Sequence, residues 1–415
     1  MPLSNKLKIF NDPIYGFIPI PFPFVLDVID HPFFQRLRRI KQLGLTHMVY
    51  PGALHTRFHH AIGAMHLMRK ALDSLRHKGN EISQEEYEGA ILAILLHDIG
   101  HGPFSHALEY AIAKNVNHEM ISVLLMEELN KEFKGKLNTA IAIFKGTYPK
   151  PYLHELVSSQ LDMDRLDYLS RDSFYSGVSE GVVGTERIIS MLNIRNEKLV
   201  VESKGIYSIE KFLVARRIMY WQVYLHKTVV AAEHMLIQIL KRAKEVAPSD
   251  PELFAPPSLN YFLNNEVDFN DFQNSSELLY RFADLDDSDI LSSVKVWQNH
   301  SDKVLSDLSK RLIERRLLGV EIKKGSFSKK EIENHQSNLM ELGFTKDQLS
   351  YYIFSKQLEN KAYSPEMTNI QILQKDNTLI DIATASDNLN ISALSHPVRK
   401  HFLCYPKELR SKKAE

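Results

Sequence analysis

Leu96-His97-Asp98-Ile99-Gly100-His101-Gly102-Pro103-Phe104-Ser105-His106 places three imidazoles and a carboxylate together. Imidazole nitrogen and carboxylate oxygen are the donors that suit divalent metals of the first transition row. Neighbouring helical residues point ~100° apart. His97 and Asp98 can therefore converge on one ion only where a helix ends. The apolar run through Ile91, Leu92, Leu95 and Leu96 predicts such a helix, with Ser83 and Glu86 as a capping box before it. Gly100, Gly102 and Pro103 then stop it. The alternative is a surface cap of solvated polar residues, which a fully apolar approach argues against.

Two ligands do not make a site. One source of partners is Arg57-Phe58-His59-His60, opening a helix expected over Ala61 to Leu72. Either histidine taken alone could be an ordinary surface residue, and His66 and His77 read as such. Gly63 would let another helix approach closely. The other source is Leu161-Asp162-Met163-Asp164-Arg165-Leu166-Asp167-Tyr168-Leu169-Ser170-Arg171-Asp172. On a helix Asp164, Tyr168 and Asp172 form one row at i, i+4 and i+8. Carboxylate, ring and carboxylate in a row suit a wall that holds a metal and a substrate. A solvated charged helix is the competing reading. Two imidazoles with two carboxylates would suit Mn, Fe, Zn, Co or Ni; the sequence does not choose among these, and Mg stays among the divalent cofactors expected.

These residues need a helical frame. Lys8–Phe10 and Phe17–Ile20 flank a turn-like Asn-Asp-Pro-Ile-Tyr-Gly, which predicts a short N-terminal β-hairpin. Val25 to about Lys241 reads as mainly helical, from apolar residues recurring at three and four. Val246 to Ser258 carries four prolines and predicts a connecting loop. Helices are expected at Ser276–Ala283 and Asp287–Leu318. Asn369–Leu373 and Leu379–Ala383 alternate around Lys375-Asp-Asn, a second hairpin signal. The expected class is mainly α: a helical core over 1–245, a helical extension over 246–318 and a smaller C-terminal α+β subdomain over 319–415.

Lys+Arg and Asp+Glu both number 51, so net charge does not point to a polyanionic partner. Cys404 is the one cysteine, which excludes an internal disulfide and a Cys-rich zinc site. The first residues lack the apolar stretch of a signal peptide. The longest apolar run, Ala90 to Leu96, is far below the ~20 residues that cross a bilayer. A cytoplasmic protein with no membrane partner is expected.

Six ordered stretches resemble the HD-domain deoxynucleoside triphosphate triphosphohydrolases, the group of the animal sterile-alpha-motif/HD-domain enzyme and its bacterial relatives. They are Asn11-Asp-Pro-Ile-Tyr-Gly, Phe34-Gln-Arg-Leu-Arg-Arg-Ile-Lys-Gln-Leu, Pro51-Gly-Ala-Leu-His-Thr-Arg-Phe-His-His, His97-Asp-Ile-Gly-His-Gly-Pro-Phe-Ser-His, Asp162-Met-Asp-Arg-Leu-Asp-Tyr-Leu-Ser-Arg-Asp and Tyr224-Leu-His-Lys. They cover roughly residues 8–240. His59 departs from the acidic residue often found before the metal histidine.

The resemblance implies metal ligands His60, His97, Asp98 and Asp164. It implies His101, His106 and His118 around the reacting phosphate, and Arg57 and Arg165 on phosphates. Tyr168 would pack on the deoxyribose and Asp172 would accept from its 3′-hydroxyl. Gln42 and Leu43 would crowd a 2′-hydroxyl, and Arg216 and Tyr224 would complete the pocket. The implied reaction releases inorganic triphosphate and a deoxynucleoside. It needs a Lewis acid, cations for phosphoryl charge and a proton for the 5′-oxygen. The histidines could instead orient ligands from behind.

Lys8, Asn11, Asp30, Gln35 and Arg38 match a nucleotide-activator site between subunits, and so imply a homo-oligomer. Their bland alternative is a basic solvated face of Arg36, Arg38, Arg39 and Lys41. Other HD phosphohydrolases, acting on a nucleoside monophosphate, a cyclic nucleotide or an alarmone, are the competing class. They do not need Gln42, Arg57, Arg165, Tyr168 and Asp172. A non-catalytic nucleic-acid-binding protein is a third possibility, which neutral charge and a complete ligand set argue against.

Overall fold

The N-terminal hairpin pairs β1 (Ile9–Asp12) with β2 (Gly16–Pro19), Asn11 opposite Phe17. Asp12 builds its turn: Oδ1 accepts from the backbone N–H of Ile14 and of Tyr15 at 2.9 and 3.0 Å. Strand alternation puts Asp12 and Ile18 inward and Asn11 and Phe17 outward. The chain is seen as a computed structural model that describes residues 8–104, 116–360, 363, 369–387 and 397–411.

Proline at the first helical positions starts α1 (Pro23–Asp30). A 3₁₀ turn, Arg36–Arg39, follows. Helix α2 (Arg57–His77) is longer at both ends than its apolar pattern suggested. His59, at its third position, turns back so that Nδ1 accepts from the Thr56 N–H at 3.2 Å. Helix α3 (Gln84–Leu96) begins at the expected capping box: Ser83 N–H donates to Glu86 Oε2 at 2.8 Å and Glu86 N–H to Ser83 Oγ at 3.1 Å. From Gly89 to Leu96 every residue is buried, so α3 is the centre of the core and needs no polar face.

Helix α4 (His118–Glu132) passes behind the end of α3, and α5 (Met163–Ser176) crosses α2. Gly177 ends α5 with φ +75°, a left-handed cap. Helix α6 (Ile206–Met219) runs into a π-helical turn at Tyr220–Tyr224, and α7 (Lys227–Val246) follows.

The region expected to be helical contains a hairpin, β3 (Leu192–Arg195) and β4 (Lys198–Glu202). Asn196 and Glu197 both take positive φ at its turn, which matches the right-handed strand twist. Its turn, Asn196-Glu197, carries a single turn-forming residue, so the stretch does not stand out from the helical pattern around it. β4 also pairs in parallel with β7 (Gln371–Leu373), Val201 opposite Ile372, and β7 pairs with β8 (Leu379–Asp381) as expected. A second sheet has β9 (Val398–Tyr405) between β5 (Gly319–Lys323) and β6 (Phe354–Asn360).

The helix expected over Asp287–Leu318 is two: α8 (Asp287–Trp297) and α9 (Lys303–Ile313). Asp302 breaks it by accepting from Leu305 N–H at 2.8 Å as an N-cap, while it also pairs with Arg242. Buried apolar side chains from Ile18 to Leu409 form one continuous cluster. No helix among the described residues is long and apolar enough to cross a membrane.

Candidate active site

His97 caps the C-terminal end of α3, where the helix gives way to the turn His97–His101. Gly100 lets that turn lie on α4. A Cβ there would be 2.2 Å from the His118 carbonyl oxygen and 2.3 Å from Ser122 N. Ser122 Oγ accepts from Gly100 N–H and donates to the His97 carbonyl, both at 2.9 Å. The buried Arg36 guanidinium also donates to this turn, to the carbonyls of Ile99 at 3.0 Å and His101 at 2.7 Å. The His97–His101 turn is thus held by both Ser122 and Arg36.

Three helices bring the donors together. His60 Nε2 lies 3.3 Å from His97 Nε2 and 3.1 Å from Asp164 Oδ1. His97 Nε2 lies 3.5 Å from Asp164 Oδ1 and 3.3 Å from Asp98 Oδ1. Bonds of about 2.1 Å to a metal set neighbouring donors about 3.0–3.4 Å apart, so this spacing fits. The tautomers fit too. His60 Nδ1 faces Asp167 Oδ2 at 2.8 Å and His97 Nδ1 faces the Ile94 carbonyl at 2.6 Å. Both rings therefore carry hydrogen on Nδ1 and turn an Nε2 lone pair to the same point. Lone pairs and carboxylates converging in a buried space require a cation.

The electrostatics agree. Burial alone would depress His60, but hydrogen bonds to Asp164 and Asp167 push it up to about 10. Burial likewise opposes charge on His97, and Asp98 with Asp164 outweighs it and raises the pKa. Despite its burial, Asp164 is held well below the usual carboxylate range by His60 and His97. The site holds positive charge at Nε2 whether a proton or a metal supplies it.

Asp98 faces a second group. His101 Nε2 is 3.3 Å from Asp98 Oδ1, and its ring stacks on His118 with centroids 3.7 Å apart. Arg57 Nη1 donates to Asp98 Oδ2 at 2.5 Å. Burial and the Arg57 charge push His101 down to about 3. His106 lies outside the described residues.

The row predicted along α5 is present and is extended by contacts from other segments. Asp172 Oδ1 is 2.8 Å from His55 Nε2, and Oδ2 accepts from the Tyr224 hydroxyl at 2.7 Å. The Tyr168 ring meets Tyr224 edge-on at 6.2 Å. Burial, then Tyr220, pushes the Tyr168 phenol up, so it keeps its proton. Arg165 pairs with Asp162, and Arg216 Nη1 donates to Gln160 Oε1 at 3.1 Å. Gln42 sits beside His55 through its backbone N–H, 3.0 Å from the His55 carbonyl, and Leu43 is next in the chain. Gln42 Oε1, Arg165 Nε and Arg216 Nε are buried with no partner among the described residues. These are buried polar atoms that a polar ligand would satisfy.

Lys8, Asn11, Asp30 and Arg38 are exposed and Gln35 is half-buried. Arg38 Nε donates to Gln35 Oε1 at 2.9 Å, and its guanidinium lies 3.5 Å over the Phe58 ring. Phe10, on the hairpin, packs on the same ring at 5.8 Å. The hairpin and the 3₁₀ turn thus meet across Phe58.

Some readings need correction. Arg36 does not belong to a solvated basic face; it is 1% exposed behind the His97–His101 turn. Arg39 and Lys41 pair with Asp286 and Asp287 of the α8 N-terminus. His66 is not a surface residue; it is 4% exposed and packs on Tyr15 at 5.3 Å. Residues that sequence reasoning missed include Asp167, Arg171, Asp12 and His55. Asp167 and Arg171 carried one signal, an i,i+4 pair on a face of α5 separate from the Asp164 row. His55 carried none.

Residues 57–172 match the HD domain and residues 183–255 the HD associated region. The Bacillus subtilis protein YwfO is 34% identical over 320 residues, 75% of this chain and 71% of its own. A Dictyostelium discoideum homologue of the deoxynucleoside triphosphate triphosphohydrolase SAMHD1 is 32% identical over 268 residues. That match covers 60% of this chain, which spans about half (52%) of the Dictyostelium protein. The crystal structure of a phosphohydrolase from Bacteroides thetaiotaomicron is 53% identical, covers 96% of this chain and 100% of its own, and superposes with a TM-score of 0.92.

Proposed function

The chain belongs to the HD-domain family, and from that premise we propose that this HD-domain phosphohydrolase cleaves deoxynucleoside triphosphates to a deoxynucleoside and inorganic triphosphate. The observation that carries the proposal is the α5 row. One helix face presents the metal ligand Asp164, then Tyr168, then Asp172, whose two oxygens are held by His55 and Tyr224. A hydrolase that ignored the sugar would have no use for a carboxylate oriented so firmly on the same helix face as Asp164.

His60, His97, Asp98 and Asp164 would hold a divalent ion, which when bound supplies a Lewis acid to the phosphoryl group. Arg57 and Arg165 bring fixed positive charge for the phosphate oxygens in a buried setting, where it acts strongly. His101, His106 and His118 carry or orient the proton that the 5′-oxygen takes as it leaves. Asp172 accepts from the 3′-hydroxyl, Tyr168 packs on the sugar, and Gln42 with Leu43 closes the 2′ side. Arg216 and Tyr224 complete the wall.

Lys8, Asn11, Asp30, Gln35 and Arg38 form a nucleotide-activator site at a contact between copies of a homo-oligomer. The pairing of Arg38 with Gln35 beside the hairpin supports that reading. Such an activator must bind the active form more tightly than the inactive one.

The test is product analysis. Each dNTP, alone and mixed, is incubated with the protein and Mn²⁺, and the products are separated by anion exchange. Deoxynucleoside with triphosphate is expected. Monophosphate with pyrophosphate, or turnover only of monophosphates, cyclic nucleotides or alarmones, would overturn the assignment.

A further inference from the structure

The buried carboxylate of Asp12 has two sets of partners. Oδ1 accepts from Ile14 and Tyr15 N–H and so pins the hairpin turn. Oδ2 accepts from Arg171 Nη1 at 2.8 Å. Arg171 reaches Asp167 with its other donors, Nε to Oδ2 and Nη2 to Oδ1, both at 2.9 Å. Asp167 Oδ2 in turn accepts from His60 Nδ1. The side chains of Arg171, Asp167 and His60 are 0% exposed and that of Asp12 is 4% exposed. Gly63 makes the room: a Cβ there would stand 2.0 Å from Asp167 Oδ1 and 2.1 Å from Arg171 Nη2.

We infer that Asp12 and Arg171 are positioning residues for the metal centre, so that docking of the N-terminal hairpin and loading of the metal are coupled. The inference rests on the metal site proposed above.

The physical reason is the sharing of bonds along the chain. Asp167 orients His60 and strengthens its Nε2 as a donor by accepting at Nδ1. Arg171 competes for the same carboxylate oxygen. Asp12 occupies one end of that guanidinium and supplies one negative charge, which leaves Asp167 a better acceptor. With the Asp12 charge removed, Arg171 draws on Asp167 alone, and His60 is held less firmly. In the other direction, an ion on His60 fixes the ring, the ring fixes Asp167, and the arginine is held in place for Asp12. Partners behind a ligand typically change metal affinity about 10–100-fold when altered. Asp12 lies two bonds further out than Asp167, so about 10-fold is expected for it. Linkage requires metal to stabilise the docked hairpin by the same factor.

The experiment uses the full chain stripped of metal and titrated with MnCl₂, with free Mn²⁺ read by electron paramagnetic resonance. Wild type, Asp12→Asn, Asp167→Asn and the double variant form a cycle. Asp12→Asn is expected to bind about 10-fold more weakly than wild type, and to add nothing once Asp167 is already asparagine. Equal affinity for Asp12→Asn and wild type overturns the inference. So does an equal loss in the Asp167→Asn background, because the effect would then be general destabilisation. Amide hydrogen exchange of wild type needs no variant and decides the matter even if Asp12→Asn fails to fold. Mn²⁺ should slow exchange across residues 9–19 by up to about 10-fold. Protection confined to the ends of α2 and α3 would overturn the coupling while leaving the metal site intact. A wild-type chain that takes up no Mn²⁺ overturns the metal site itself, and the coupling with it.

Discussion

Gly63→Ala sets helix propensity against a buried ion pair, and the two predict opposite signs. At a solvated position inside a helix, alanine would stabilise by about 1 kcal/mol. Gly63 faces α5, and its new Cβ would meet Asp167 Oδ1 at 2.0 Å, Arg171 Nη2 at 2.1 Å and Asp167 Cγ at 2.8 Å. These atoms cannot swing into solvent, because both side chains are fully buried and hydrogen-bonded along their length. Either α5 moves away, an overpacking cost of about 1–3 kcal/mol, or the pair breaks, at about 3–5 kcal/mol. After the propensity gain, the net loss is about 0–2 kcal/mol if α5 moves and about 2–4 kcal/mol if the pair breaks. Because Asp167 orients His60, Mn²⁺ affinity should fall about 10-fold or more as well. Urea unfolding of the metal-free proteins, followed by far-ultraviolet circular dichroism, measures the first quantity, and Mn²⁺ titration the second. A variant more stable than wild type by about 1 kcal/mol would refute the reasoning about close packing.

His97→Ala, Asp98→Ala and Asp164→Ala should each remove bound transition metal and activity together; full occupancy in any purified variant would sink that residue as a ligand. Asp172→Asn should abolish discrimination between a dNTP and its 2′,3′-dideoxy analogue, and Tyr224→Phe should lower kcat/KM for the dNTP by about 10-fold, the effect of one lost hydrogen bond of about 1.4 kcal/mol to the carboxylate. If wild type turns over both analogues equally, Asp172 does not read the 3′-hydroxyl. Burial, with Lys70 and Arg69 nearby, pushes His66 down to about 4. The folded state therefore binds this proton less readily than the unfolded one, so stability is present above about pH 6.5 and is lost as pH falls toward 4, by about 1–2 kcal/mol. His66→Leu should flatten unfolding free energy over that window relative to wild type, and unchanged slopes would remove His66 as the source.

The sequence by itself determined what is local. The capping box at Ser83, the apolar run of α3 and the glycine stop beyond it depend on neighbours a few residues away, and they placed His97 and Asp98 at a helix end. The helical repeat aligned Asp164, Tyr168 and Asp172 in the same way. It also marked the two hairpins whose turns carry strong residue signals, though not β3–β4, whose Asn196-Glu197 turn holds a single turn-forming residue. What only the tertiary structure decided is which charges are buried and against whom. Arg36 and Arg38 are two residues apart, yet one is sealed behind the His97–His101 turn and the other is exposed. His66 reads as any helical histidine until Tyr15 covers it. The pairing of Val201 with Ile372, and of Asp12 with Arg171, joins segments that are far apart in the chain. A hydrogen bond or an ion pair needs a partner within about 3 Å. Only the packing of α2 on α5 and of the hairpin over both sets that distance, and no residue records it in its own neighbourhood.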